Sequence, residues 1–265
     1  MVYLKKGKRY KNDKKLNTKV IMFMLLIFFS CLFVISGIKI IKYIKNNDEN
    51  EKIMQNIADN IEIVESDETS VENKEEYKID FKSLKNKNSD TVGFLKVNGT
   101  KIEYVVVQSN DNNYYLTRNF DKKSNLAGWI FSDYRNKIDG SDKNIIIYGH
   151  NMRTDAMFGT LKNVLTSEWQ ENEKNRYIVF ATENEYSIYE VFSVYQIEVE
   201  DYYMTTDFKN NEFKKFIDLS RKRSIFDFGV DVDENDNILT LSTCANNSKY
   251  RVVLHAKRQY KMKNI

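Results

Sequence analysis

The sequence predicts a mainly β domain with inserted helices, closed or nearly closed into a barrel, behind one membrane-spanning helix. Short apolar or alternating runs recur at regular spacing from Gly93 onward, and turn residues separate them. Only two helical patterns interrupt these runs, which argues against a sheet of alternating strands and helices. Ahead of them, the 19 residues from Val20 to Ile38 carry no charge, and a helix of that length crosses the hydrocarbon core of a bilayer.

The N-terminal part is predicted to divide into a basic cytoplasmic tail, residues 1–19, a transmembrane helix, residues 20–44, and a stalk or N-terminal helix, residues 45–76. Eight basic residues and one acidic residue precede the apolar run, so the positive-inside bias leaves the N terminus in the cytoplasm and the rest outside the cell. A cleaved signal peptide is the alternative, although no small-residue cleavage site follows the run.

The stalk segment contains apolar residues about one helical turn apart, at Ile53, Ile57, Ile61 and Val64. This spacing indicates an amphipathic helix. It fits a stalk that holds the domain away from the membrane and a helix packed on the domain equally well. The residues from Ser66 to Glu76 are polar enough to form a linker.

The charge of the chain is unevenly distributed. Residues 1–45 hold 11 of the 41 basic residues and one of the 38 acidic residues, which leaves residues 46–265 a net charge of −7. The one basic cluster therefore lies beside the membrane, where anionic lipid is its natural partner. Nucleic acid is not expected as a partner, because phosphate binding needs a basic face.

Residues 77–265 are predicted to form the β domain. Asn98-Gly99 reads as a hairpin turn between its first two strands. One helix is predicted over Asp155–Leu165, and a second one, capped by Asp207, carries apolar residues on one face. The predicted strands are Gly93–Val97, Lys101–Val107, Tyr114–Thr117, Leu126–Phe131, Lys143–Tyr148, Arg176–Ala181, Glu185–Ile197, Ile238–Cys244 and Arg251–Ala256.

A cysteine ends one predicted strand and an arginine begins the next. Cys244 is the only cysteine outside the apolar run, which contains Cys31, so no disulfide can form within the domain. Alternation places Thr240, Ser242 and Cys244 on one face of their strand and Leu241 and Thr243 on the other. A buried structural thiol is the commoner role of a free cysteine, but a thiol at a strand end beside a fixed cation, Arg251, indicates a nucleophile.

A cysteine nucleophile needs a proton acceptor, and the chain has two histidines. His150 ends the strand before it, whereas His255 lies within a strand and shares the face of Arg251. Periodicity leaves both open, and His150 is favoured because strand ends beside loops more often carry chemistry. The loop 245–250 contains no carboxylate, while Asp139, Asp142 and Asp155 flank His150 in sequence. An oxyanion-stabilising role for Arg251 fits better than a Cys-His-Asp triad.

No cofactor or metal is expected. Asp231–Asp236 resembles a calcium loop for a few residues, but it lacks the glycine at the sixth position and has Ser242 where a bidentate glutamate is needed. A solvated turn is the preferred interpretation of that segment.

The sequence also resembles a known family. The residues Thr240-Leu-Ser-Thr-Cys244, Arg251 downstream of them and Tyr148-Gly-His-Asn-Met152 upstream are similar to motifs of the sortases, membrane-anchored cysteine transpeptidases of Gram-positive bacteria. The resemblance to the class B branch extends from about Tyr77 to the C terminus. It includes Asp90-Thr-Val-Gly-Phe-Leu, Lys101–Gln108, Asn112–Leu116, Gly128–Arg135, Met157–Leu161 and an insertion over about Tyr202–Asp227.

The resemblance implies an eight-stranded barrel and a cell-wall anchoring reaction. Cys244 would attack a sorting-signal peptide of a secreted surface protein after its threonine, and an amine of the peptidoglycan precursor would resolve the thioester. His150 would be the general acid and base, and Arg251 would stabilise the oxyanion or clamp the substrate. The groove would be lined by Thr240, Leu241, Ser242 and Thr243.

Two other functions remain open at this stage. One is a catalytically silent, membrane-tethered module that binds peptides in the same groove. The other is a cysteine hydrolase, in which water replaces the amine.

Overall fold

A computed structural model of the protein describes residues 18–64, 76–244 and 249–263. The predicted basic tail before residue 18, most of the predicted linker and the loop 245–248 lie outside these residues. The chain forms two compact units, one up to Ile44 and one from Lys45 onward. The first helix, α1, runs over Thr18–Ala58. Of the described helices, it is the one long and apolar enough to cross a membrane.

The second unit begins with the last turns of α1, which bury Ile53 and Ile57. The helical pattern predicted to continue to Val64 ends at Ala58, because the chain turns there and enters strand β1, Ile61–Val64. This strand pairs in antiparallel fashion with β2, Glu76–Ile79. Helix α2, Phe81–Lys87, follows directly, and the Asp80 carboxylate caps it by accepting from the Ser83 N–H at 2.9 Å.

Eight strands form a closed barrel, which confirms the predicted fold. The strands are β3 Thr91–Val97, β4 Glu103–Val107, β5 Phe131–Ser132, β6 Asn144–His150, β7 Tyr177–Ala181, β8 Glu185–Glu198, β9 Ile238–Cys244 and β10 Tyr250–Lys263. Their order around the barrel is β10-β8-β7-β3-β4-β5-β6-β9. Most neighbouring strands are antiparallel, but β4–β5 and β6–β9 are parallel. Closure pairs both edges of the sheet, so neither is left open to another chain.

Two predicted strands are wrong. Tyr114–Leu116 forms a 3-10 turn, and of Leu126–Phe131 only Phe131 enters a strand. The intervening loop is shaped by side-chain amides instead of ladder hydrogen bonds: the Asn125 side-chain oxygen accepts from the Ala127 N–H at 2.9 Å. An asparagine turn of this kind competes with strand pairing.

The predicted helix over Asp155–Leu165 is also wrong, since only a 3-10 turn over Leu161–Leu165 is present. Asp155 and Met157 have φ values of 61° and 52°, and a right-handed helix cannot contain such residues. A short helix, α3, follows at Ser167–Glu171.

The helix predicted before the cysteine strand is present as α4, Glu212–Arg223, between β8 and β9. Its N-cap is Asn211 and not the predicted Asp207, because the helix starts only after a turn closed by the Glu212 carboxylate on the Lys209 N–H. The helix buries Phe213, Phe216 and Ile217 against the barrel. They join a cluster that contains Phe192, Tyr195, Tyr203, Val232, Ile238 and Val253.

Candidate active site

Three neighbouring strands bring the predicted catalytic residues together. His150 is the last residue of β6 and Cys244 the last of β9, and the two form a register pair of the parallel β6–β9 ladder. Neighbouring strands lie about 4.8 Å apart. The backbone therefore places the two residues side by side at the same end of the barrel.

The tautomer of His150 is fixed by a backbone carbonyl. Its Nε2 lies 2.7 Å from the Leu116 carbonyl oxygen. A carbonyl only accepts, so Nε2 carries the hydrogen and the neutral ring keeps its lone pair on Nδ1. Nδ1 is buried and has no hydrogen-bond partner within residues 18–64, 76–244 and 249–263. Nδ1 is therefore the ring nitrogen that can accept a proton from a donor group.

Burial keeps this imidazole neutral. The His150 side chain is 7% exposed, and burial lowers its pKa from the ordinary value, although the hydrogen bond to the Leu116 carbonyl opposes the change. At neutral pH the ring is therefore a base able to take a proton.

The backbone around His150 is tightly packed. A Cβ on Gly149 would overlap the side chains of Ile130 and Phe158, so only glycine fits at this point of β6. After the strand, the Met152 and Phe158 N–H groups both donate to the His150 carbonyl, each at 3.0 Å. These bonds close the turn that follows the histidine.

Arg251 lies on the third strand, β10, and is half-buried. The β9–β10 ladder runs from Lys257 opposite Ile238 to Val253 opposite Ser242. Arg251 lies two residues beyond the last register pair, close to where β9 ends at Cys244. Residues two apart in a strand point to the same side. Arg251 therefore lies on the face of β10 that contains Val253, the partner of Ser242.

His255 is placed quite differently, although it shares that face. It is 0% exposed, and its ring lies against Phe192 and Phe216. Nδ1 lies 2.8 Å from the Thr240 hydroxyl and Nε2 lies 2.8 Å from the Tyr195 hydroxyl. Both ring nitrogens are occupied, and the imidazole has no access to a substrate.

The carboxylates that flank His150 in sequence have other partners. Asp155 pairs with Lys162 at 2.9 Å, Asp142 accepts from the Ile138 N–H at 2.8 Å, and Asp139 accepts from the Ser141 N–H at 2.9 Å. Within the described part of the chain, the one partner of the His150 ring is the Leu116 carbonyl.

The four residues predicted to line the groove are all buried. Thr240 donates to the Asn144 side-chain oxygen at 2.6 Å and also bonds to His255, whose ring lies against Phe216 of α4. Leu241 and Thr243 lie on the face opposite Cys244 by alternation. Ser242 remains: it shares the face of Cys244 and donates to the Tyr203 hydroxyl at 3.2 Å.

Beside Ser242 lies a polar cluster that sequence reasoning did not find. Asp133 is 0% exposed and accepts from Arg135 through two bonds of 2.8 Å, from Asn112 at 2.9 Å and from the Tyr148 hydroxyl at 2.9 Å. Burial alone would raise the pKa of Asp133, but the hydrogen bonds from Arg135 and its other donors hold it below the usual range. The available signal was the charged pair Asp133 and Arg135, which follows the apolar run 129–131 after a single serine.

Tyr148 connects this cluster to the candidate catalytic residues. It pairs with Ser242 in the β6–β9 ladder, one alternation step before His150 and Cys244. Arg135 also donates to the Met204 carbonyl at 2.8 Å, which joins the cluster to the insertion that carries α4.

Comparisons with known proteins identify relatives of this chain and of its fold. Residues 95–259 match the model of the sortase domain. Sortase B of Listeria monocytogenes is 34% identical over 233 residues, which cover 85% of this chain and 92% of that one. The crystal structure of sortase B from Bacillus anthracis in complex with AAEK1 covers 81% of this chain and 98% of its own, with 34% identity and a TM-score of 0.69. The Staphylococcus aureus sortase B–substrate complex covers 86% and 98%, with 28% identity and a TM-score of 0.65.

A closed eight-stranded barrel with a cysteine and a histidine at neighbouring strand ends, together with these relatives, indicates an enzyme of the cysteine transpeptidase class. The chain belongs to the sortase family, and its relatives are of the class B type.

Proposed function

We propose that the protein cleaves a sorting-signal peptide after threonine through a thioester on Cys244 and transfers the product to an amine of the peptidoglycan precursor. The observation that carries this proposal is the register pair of His150 and Cys244, with Nε2 of the histidine held by a carbonyl and Nδ1 left unpaired. A peptide substrate is consistent with the substrate complex of the S. aureus relative.

In the first half-reaction, Nδ1 of His150 takes the thiol proton and the Cys244 sulfur attacks the threonine carbonyl carbon. The Arg251 guanidinium stabilises the oxyanion of the tetrahedral intermediate. As the intermediate collapses, the imidazolium donates its proton to the leaving amine and a thioester remains. The acceptor amine then attacks the thioester, its proton passes to His150, and the thiol is restored when the surface protein leaves.

Of the four predicted groove residues, Ser242 is the one we assign to the substrate wall. It shares the face of Cys244 and contacts Tyr203 of the insertion. Thr240 supports that wall through its bonds to Asn144 and His255.

The proposal is tested with a library of internally quenched peptides that carry a fixed threonine. Cys244→Ala should abolish cleavage, whereas Cys31→Ala is the matched control, because it removes the other cysteine and should leave cleavage unchanged. Hydroxylamine should release a hydroxamate from the wild-type thioester. Cleavage retained by Cys244→Ala would exclude the proposal.

The same library separates the two alternatives. If the cleavage products are the same with and without an added amine nucleophile, the protein is a hydrolase. A silent binding module would bind the peptides without cleaving them. Its Cys244 thiol, titrated with iodoacetamide in the Cys31→Ala variant, would be unreactive.

We further propose that residues 20–44 anchor the protein in the cell membrane by a single pass, with the N terminus in the cytoplasm and residues 77–265 outside. The apolar stretch of α1 and the basic residues before it support this topology. The test is twofold. Mass spectrometry of the mature protein should show residues 1–38 retained, and a membrane-impermeant maleimide should label Cys244 on intact cells in the Cys31→Ala background. Loss of those residues would indicate a signal peptide.

A further inference from the structure

A cluster of buried asparagines joins the last turns of α1 to the barrel. We call it the asparagine cluster, and its members are Asn46, Asn47, Asn50 and Asn125, all buried. The Asn125 side chain donates to the Asn46 carbonyl at 2.9 Å and to the Asn50 side-chain oxygen at 3.0 Å. In return, the Asn50 side chain donates to the Gly128 carbonyl at 3.0 Å.

The asparagine cluster fixes the position of the helix relative to the loop more than it stabilises the fold. Apolar side chains such as Ile53 and Ile57, on the same helix, also anchor it but tolerate sliding. A buried amide that loses its partner costs about 1–3 kcal/mol, so the cluster is satisfied at one register of helix and loop only.

The loop held by the cluster carries the carbonyl that binds His150. A Cβ on Gly128 would lie 2.5 Å from the Tyr115 carbonyl oxygen and 2.9 Å from that of Leu116, so the backbone at Gly128 rests directly against these peptides. The Trp129 N–H donates to the Tyr115 carbonyl at 3.0 Å. Fixing Gly128 therefore fixes the Leu116 carbonyl, which lies 2.7 Å from His150 Nε2.

A second bond reaches the segment on the other side of the histidine. The Thr154 hydroxyl, four residues beyond His150, donates to the Asn47 side-chain oxygen at 2.8 Å. The turn between them is closed by N–H groups that donate to the His150 carbonyl. The helix thus holds the chain segments that approach the imidazole from both sides.

We propose that the asparagine cluster is a positioning device for His150: α1 beyond residue 45 selects the register of the Leu116 carbonyl and thereby the tautomer and orientation of the imidazole. The inference rests on the proposed role of His150 in the reaction. It deepens that role, because it makes catalysis depend on a helix that contributes no group to the chemistry.

The central variant is Asn50→Leu in the full chain in detergent micelles, assayed with the library peptide that the wild type cleaves fastest. We expect kcat to fall about tenfold to a hundredfold, because a small misplacement of a catalytic group has this effect. KM should stay within about twofold, since the cluster does not touch the substrate. Ile53→Ala is the control: it weakens the packing of the same helix but keeps the amide bonds, and its kcat should remain near that of the wild type.

A second measurement does not depend on activity. The chain has two histidines, so 15N signals of the imidazole rings can be assigned with His255→Gln. At pH 7.5 the wild type should show a single Nε2–H tautomer of His150, and Asn50→Leu should show both tautomers. This result would stand even if the wild type cleaved no peptide, which separates failure of the inference from failure of the proposed function.

The inference is overturned if Asn50→Leu keeps the wild-type kcat and the single tautomer. Should Asn50→Leu not fold, Thr154→Val replaces it, because Thr154 is exposed and the loss of its hydroxyl leaves the core intact. Thr154→Val should broaden or shift the His150 ring signals, and Thr154→Ser, which keeps the hydroxyl, should restore them. Identical spectra for all three proteins would equally overturn the inference.

Discussion

Replacing His255 with glutamine should change how the stability of the barrel depends on pH. His255 is fully buried between the Thr240 and Tyr195 hydroxyls. Burial, with a further contribution from the positive charge of Arg223, lowers its pKa from 6.5 to about 3. The unfolded chain therefore binds a proton below pH 6.5 that the folded chain does not bind, so the free energy of unfolding falls as the pH falls through this window.

The size of the effect follows from the shift. Each pH unit in the window removes about 1.4 kcal/mol from the free energy of unfolding, or about 3 kcal/mol between pH 6.5 and pH 4. Glutamine does not titrate, so the variant lacks this loss. At pH 7 the variant should be less stable than the wild type by about 1–3 kcal/mol, because the two hydrogen bonds of the imidazole are imperfectly replaced. At pH 4 the variant should be at least as stable as the wild type.

Urea unfolding followed by tryptophan fluorescence measures this difference. Both tryptophans, Trp129 and Trp169, belong to the unit that contains the barrel, so the signal reports that unit. Other acid-sensitive groups, including His150 and Asp133, are common to both proteins and cancel in the comparison. Tyr195→Phe is the matched control: it removes one bond to the same ring but keeps the titrating group, and its cost should be similar at both pH values. A constant difference between wild type and His255→Gln would refute a neutral, buried imidazole.

Two further predictions concern the site. Arg251→Lys should lower kcat about a hundredfold, because a point charge does not reproduce the planar guanidinium at the oxyanion. In steady-state kinetics this loss should be larger than the loss for His255→Gln. The opposite ranking would indicate His255 as the general base. Asp133→Asn should destabilise the protein by about 1–3 kcal/mol, since Arg135 loses its buried partner, and a thermal unfolding temperature within about 1 °C of the wild type would contradict this role.

Most strands of the barrel could be predicted from the sequence, because apolar residues that alternate with a period of two indicate a strand. The exceptions are instructive. Tyr114–Thr117 and Leu126–Phe131 have the composition of strands. The Asp111 carboxylate, which accepts from the Tyr114 N–H, and the Asn125 side chain, which accepts from the Ala127 N–H, hold a loop there instead. Which side chains will reach the backbone depends on tertiary neighbours such as Asn50, 75 residues earlier in the chain. No local pattern contains that information.

The two histidines show where the sequence alone stops. Alternation placed His255 on the face of Arg251, but the residues that share a face do not reveal what covers that face. Here Phe216 of α4 packs against the His255 ring and covers that part of the face. His150, in contrast, lies at the end of β6. The partner that fixes the His150 tautomer is a backbone carbonyl, which every residue possesses and which therefore leaves no mark in the sequence.

Cys244, His150 and Arg251 lie near one edge of the barrel because of the directions of their strands. Two strands that end at the same edge of a sheet must run parallel, and a parallel pair needs a long connection between its members. The chain supplies it between His150 and Ile238 with β7, β8 and α4. The next strand, β10, is antiparallel to β9, so it begins at the edge where β9 ends and carries Arg251 there. Parallel pairing of β6 with β9 is thus what allows a thiol, a base and a cation from distant parts of the chain to share one edge. A one-residue slip in either ladder would turn one of them to the opposite face.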